Sequence, residues 1–186
     1  MKHKPQWEKQ TLALRDEHTW KAPPGYNVFV ADRGAVRFNL PQDWVIEPAS
    51  DCIALYDQKP PQDSCRLAVS YLRLPPVDWS GLPLAQLITS VVKDDRRKVL
   101  ARGEITSISR LDVELAWMEI RFLDPQEKRE AFSRIALARG SNLQALITCD
   151  YWPEDAKRLE PIWDEVLRSI ELGRYVTDPT AGDVLH

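Results

Sequence analysis

Histidine is nearly missing: the 186-residue chain has three, His3, His18 and His186, all in its terminal stretches. A Ser-His or Cys-His nucleophilic pair, or a His-based metal site, would have to borrow a terminal segment, which argues against that chemistry in the body of the chain. Glycine is scarce as well. There are seven, and Gly34, Gly81, Gly103, Gly140 and Gly173 stand singly at the boundaries of structured runs, so none forms a phosphate-cradling loop. The three cysteines, Cys52, Cys65 and Cys149, are odd in number and widely spaced, with no Cys-x-x-Cys. Neither a disulfide framework nor a zinc site is indicated, and reduced thiols point to the cytoplasm. Long apolar runs are absent: the greasiest stretch, Leu143 to Cys149, contains Gln144 and Thr148, so no membrane-embedded segment is expected. Met1-Lys2-His3-Lys4 is followed by Pro5-Gln6-Trp7-Glu8 rather than an apolar stretch, and no export signal is read there. A surplus of positive charge is also missing. The formal charge is −3, which supplies no overall attraction for nucleic acid or anionic lipid.

What the chain does have is enough apolar sequence, 44%, to build one domain without metal or disulfide support. Residues 1–26 are polar and close on Ala22-Pro23-Pro24-Gly25, which reads as an arm. Residues 27–173 carry the domain, and 174–186 form a tail, loose from Asp178 on. Asn27 to Ala31 and Ala35 to Leu40 are β-prone runs around Asp32-Arg33-Gly34, an opening hairpin. Ile53 to Asp57 is a short strand. Cys65 to Leu74 is a longer one, with Cys65, Leu67, Val69 and Tyr71 on one face. From Leu84 the period changes to 3.6, with Leu84, Leu87, Ile88, Val91 and Val92 on one stripe. Ser80 is placed to cap this helix, and Arg96, Arg97 and Lys98 to sit at its C-terminal end.

Four more strands are expected at Glu104 to Ser109, Val113 to Leu123, Ala131 to Arg139 and Leu143 to Tyr151, joined by short connections that make neighbours antiparallel. Val113, Leu115 and Trp117 face one way and Met118, Ile120 and Phe122 the other, so this strand is either central and covered on both sides or bulged near Trp117. A closing helical region from Pro153 contains Pro161, which reads as a break between two pieces with Pro161 opening the second. Ser169 to Leu172 can add an edge strand. The class is α+β: an antiparallel sheet of six to seven strands flanked by helices.

Val36-Arg37-Phe38-Asn39-Leu40-Pro41-Gln42-Asp43-Trp44 resembles the opening "strand, then Phe-x-Leu-Pro-x-x-Trp" motif of the Mog1/PsbP-like superfamily. Leu167-Arg168-Ser169-Ile170-Glu171-Leu172 is similar to the apolar-x-Ser-apolar-x-apolar ending of that family. The resemblance implies an α/β/α sandwich that works as a binding or assembly module rather than an enzyme. Its members include a partner of the Ran GTPase, an accessory subunit of photosystem II and envelope-associated bacterial proteins, so the fold does not choose among roles.

Two rigid loops present aromatics. Pro75-Pro76-Val77-Asp78-Trp79-Ser80-Gly81 carries Trp79 beside Asp78, and Asp150-Tyr151-Trp152-Pro153 places Trp152 at a strand-to-helix junction. Such aromatics serve as anchors for a protein partner, and here Asp78, Asp150 and Tyr151 would add polar specificity. The alternative is a small-molecule pocket, or a weak hydrolase, between sheet and helix, lined by Tyr71, Trp117 and Met118. Trp44, Trp117 and Trp163 lie on apolar stripes or in the family motif, where core packing is the ordinary role. Cys149, on the apolar face beside Ile147, reads as an inert buried thiol. Asp94-Asp95 and Glu154-Asp155 lie among basic residues and read as solvated. No catalytic residue, metal or cofactor is implied.

Overall fold

The computed structural model describes residues 8–182, so His3 and His186 lie outside it. Eleven strands and two α-helices follow one another, with every strand pairing antiparallel: β1 (Tyr26–Ala31), β2 (Val36–Pro41), β3 (Val45–Pro48), β4 (Ile53–Tyr56), β5 (Cys65–Arg73), α1 (Leu84–Lys93), β6 (Lys98–Arg102), β7 (Thr106–Ser109), β8 (Glu114–Leu123), β9 (Glu130–Gly140), β10 (Leu143–Tyr151), α2 (Ala156–Ser169) and β11 (Glu171–Leu172). The expected antiparallel sheet is present; about six to seven strands are expected and it has eight, ordered β3-β4-β5-β10-β9-β8-β6 with β7 also on β8. The opening hairpin does not join it. Instead β1 and β2 pair with β11 as a separate three-stranded sheet.

Alternation along the central strands decides the layers. Leu115 and Trp117 of β8, Ala136 and Ala138 of β9, and Leu143, Ala145, Ile147, Cys149 and Tyr151 of β10 join Cys65, Leu67 and Val69 of β5 in one core, closed by the small sheet and by Leu159, Trp163, Val166 and Leu167 of α2. Ala116, Met118 and Ile120 of β8 and Ile135 and Leu137 of β9 face the other way, onto Leu84, Ile88 and Val92 of α1. β8 pairs with β9 in unbroken register from Glu114 to Leu123, so it is a central strand covered on both sides, with no bulge. The motif residues Phe38, Leu40 and Trp44 are all buried in the larger core.

Several expectations are corrected. Helix α1 starts at Leu84 with Pro83 as the flanking residue, and Ser80 is held by Asp78 in the preceding turn instead of capping it. The helix stops at Lys93, and Lys98 begins β6 rather than lying at a helix end. The break at Pro161 does not occur: α2 runs through it, preceded by a single 3-10 turn at Pro153–Asp155. Pro161 is exposed and deprives one carbonyl near the helix start of its donor, a loss that water can replace, while the buried stripe behind it keeps the helix whole. At the β1–β2 turn Gly34 has φ +116, and a Cβ there would lie 2.0 Å from the carbonyl oxygen of Arg174. Only glycine lets the chain after β11 pass this close.

Candidate binding surface

Beyond β5 the chain folds on itself. Val77 N–H donates to the Pro75 carbonyl (2.8 Å), Leu82 N–H to the Trp79 carbonyl (3.0 Å), and the Trp79 indole Nε1 to Pro75 again (3.1 Å). Asp78 accepts from the Ser80 N–H (2.9 Å) and hydroxyl (3.0 Å), bonds that hold its carboxyl below the usual range. This self-bonded loop leaves Trp79 half-buried while Leu72, Val77 and Leu82 stay 52%, 58% and 38% exposed. Leu72 stands opposite Gln144, and Gln144 opposite Arg139. Nη2 of Arg139 donates to the Leu82 carbonyl (2.9 Å), which draws the loop against the α1 side of the sheet. Arg139 is itself buried, ion-paired to Glu114 at 2.5 Å, and its Nη1 meets no acceptor among the described residues.

The other aromatic loop is built differently. Tyr151 is buried and stacks on Phe132 (5.8 Å), and its hydroxyl donates to Glu119 Oε2 at 2.5 Å. Burial first, then that bond, push its hydroxyl pKa well up. Arg134 Nε donates to the same Glu119 oxygen at 2.9 Å. Asp150 points to the opposite face of β10, where Arg97 joins it (3.0 Å) to Asp95 (2.7 Å) and lies 4.0 Å above the Phe122 ring. Asp95 is therefore enclosed and paired rather than solvated: burial opposes its ionisation, and the bonds from Arg97 outweigh it. Trp152 lies under Arg129, 3.6 Å from the ring centroid, and Arg129 is fixed by Glu154 at 3.0 Å. Trp79 follows the end of β5 that pairs with Leu143, whereas Trp152 follows Tyr151 at the far end of β10, roughly 27 Å along the strand. The two tryptophans do not share a surface, and Tyr151 is not on one.

The three pocket residues also separate. Tyr71 donates its hydroxyl to Asp32 Oδ2 (2.9 Å) and lines a hollow of about 240 Å³ with Cys52, Val69 and Leu72. Trp117 meets Trp163 edge-on at 5.8 Å, and Met118 lies beneath α1 on the other side of β8. A larger cleft of about 570 Å³ lies under the N-terminal arm, lined in part by Arg37, Asn39 and Ser169 of the two motifs but by none of the expected binding residues. Cys149 is buried as expected, its sulfur 3.4 Å from that of Cys65. Both thiols lie in the larger core, where the neighbouring Cys149 thiol first and then burial push the Cys65 pKa far up. Among the described residues no three His, Cys, Asp or Glu side chains converge as metal ligands, and no helix is long and apolar enough to cross a membrane.

A family model described as Alr1449 matches residues 27–176. The chain is 51% identical to the uncharacterized protein alr1449 of Nostoc sp. over 178 residues, covering 95% of this chain and 93% of that one. Among solved structures it is similar to cyanobacterial PsbP (CyanoP) from Synechocystis sp. PCC 6803, with a TM-score of 0.58 at 9% identity over 81% of this chain and 94% of that one. It is also similar to the Ran-binding protein Mog1p of Saccharomyces cerevisiae, with a TM-score of 0.52 at 8% identity over 79% of this chain and 95% of that one. These two likenesses establish a Mog1/PsbP-like fold.

Proposed function

The chain belongs to the Alr1449 family, and from that footing we propose that it is a non-catalytic protein-binding or assembly module whose partner docks on the loop around Trp79. The observation that carries this reading is the exposure of Leu72, Val77 and Leu82 beside an indole already fixed by its own loop. Apolar side chains held on a pre-ordered loop lose little entropy on contact, which is how interface anchors gain their energy. A Ran-binding protein among the structural neighbours supports the class of role by analogy of fold alone. Free Cys52, Cys65 and Cys149 fit a cytoplasmic setting.

The test is affinity capture from native cytosol, read by mass spectrometry, with the wild type, the Leu72→Asp/Val77→Asp variant and the Arg129→Ala variant. A protein held by the wild type and by Arg129→Ala, and lost from the aspartate variant, is the expected result. Equal retention by all three would sink the assignment of this surface.

A further inference from the structure

We propose that the cleft beneath the N-terminal arm is a binding site for a small organic oxyanion, a carboxylate or phosphate carried on a planar body. This site lies apart from the Trp79 loop, and neither assignment depends on the other.

The cleft exists because the arm is held away from what lies beneath it. The Thr19 N–H donates to the Ala181 carbonyl (2.8 Å), the Trp20 indole to the Pro179 carbonyl (2.7 Å), and Arg15 pairs with Asp178 at 2.6 Å. All of these partners lie between Asp178 and Ala181, a stretch that is thereby pinned rather than loose. Below the arm lie Arg37 and Asn39 of β2, and the last turn of α2 forms a wall. Trp20 reaches down to within 5.1 Å of the Arg37 guanidinium. The arm spans the cleft without filling it, and about 570 Å³ remains, within the size range of small-molecule sites.

The charges lining it are unequal. Glu171 is paired with Arg37, Asp112 with Arg174, and Glu165 of the adjoining turn with Arg168, so each carboxylate there has its own guanidinium. Two cations remain. Arg110 donates its Nη groups to the carbonyls of Leu167, Arg168 and Ile170, which complete the end of α2, but its Nε is buried and meets no acceptor among the described residues. Lys21 lines the same cleft from the arm and forms no ion pair among the described residues. Capping a helix accounts for the Nη groups of Arg110; it leaves the charges of Arg110 and of the lysine across the cleft without a carboxylate among the described residues. An oxyanion in the cleft supplies that counter-ion: Lys21 can donate to it directly, in the charge-assisted bond that is the strong kind, and the Arg110 charge acts on it through space. Trp20 and Pro23 on the arm side offer a flat apolar wall for the rest of the ligand.

The experiment is an NMR titration of the full chain, following the Trp20 indole N–H, which is assigned by its loss in Trp20→Phe. The probes are 2-naphthoate, 2-naphthyl phosphate, neutral 2-naphthol and inorganic phosphate. Saturable shifts with the two naphthyl anions are expected, with binding about tenfold weaker for 2-naphthol, for inorganic phosphate, and in Lys21→Gln. Arg110→Met should weaken binding in the same direction; Lys21 is exposed and its replacement leaves folding intact, so the proposal is testable even if the arginine variant unfolds. No saturable shift with either naphthyl anion, equal affinity for 2-naphthol, or affinity unchanged in Lys21→Gln would overturn it. Inorganic phosphate binding as tightly as the naphthyl anions would overturn the planar body.

Discussion

The two faces of the main sheet are closed to different extents. On one side α2 and the three-stranded sheet together seal a core that runs from Ile53 and Leu55 of β4 across to Leu115 of β8. On the other, α1 packs over β8 and β9, with Val99 of β6 and Leu146 of β10 half-buried at its margins. A helix is about 10 Å across and strands are about 4.8 Å apart, so one helix shades roughly two strands. The α2 side escapes this limit because a second sheet shares the work. The α1 side does not, and Leu72 on β5 stays exposed while Leu146 on β10 is only half-buried. Closure makes the first face the seat of stability; incompleteness makes the second available for contact.

Replacing one buried residue on each face would break or uphold that contrast. Trp163→Ala, in the closed core, should destabilise by about 3–5 kcal/mol in urea unfolding, and Ile88→Ala, under α1, by about 2–4 kcal/mol. A larger loss for Ile88 would reverse the ranking of the faces. Polar tethers sharpen the contrast further. Asp57, beyond β4, accepts from the Cys65 N–H (3.0 Å), the Ser64 N–H (3.0 Å) and hydroxyl (2.8 Å), and Arg158 of α2 (2.6 Å). Burial works against its charge, but these bonds together hold its pKa below 3.8. The stabilisation is therefore present in full well above pH 3.8 and lost as pH falls from there through the lower folded-state value. Asp57→Asn should lower stability by about 2 kcal/mol at pH 7, and the gap from wild type should close in acid; a constant gap would remove Asp57 as a titrating tether. The smallest effect belongs to the open region: Val77→Asp should change stability by no more than about 0.5 kcal/mol, and a larger loss in thermal melts would mean that the loop is packing rather than surface.

What the sequence disclosed was the closed architecture, and what it hid was the periphery. Clean alternation in β5 and β10 and the double apolar pattern of β8 are direct marks of burial, as is the 3.6 period of α1. The same alternation, carried one step past Cys149, places Tyr151 inside; that signal was available, and the position beside Trp152 obscured it. Strand β6, Lys98–Arg102, has one half-buried residue, Val99, and otherwise exposed ones, so no periodicity announces it and only pairing with β8 makes it a strand. Trp152 reads as a free aromatic until Arg129 closes over it from the β8–β9 turn. The cleft itself left no mark, because the arm is held by contacts between the two ends of the chain, backbone bonds of Arg15 and Thr19 and side-chain bonds of Arg15 and Trp20, whose partners no local pattern reveals.

The way the main sheet ends bears on self-assembly. One border is β3, four residues long and stopped by Pro48; the other is shared by β7, also four residues long, and β6, whose register with β8 slips between Val99 and Ala101 and which carries Lys98 and Arg102. Short length, proline, a bulge and lysine each deny a neighbouring molecule a straight row of backbone donors and acceptors. An eight-stranded sheet that could have templated further strands is thus bounded at both edges by features that resist continuation.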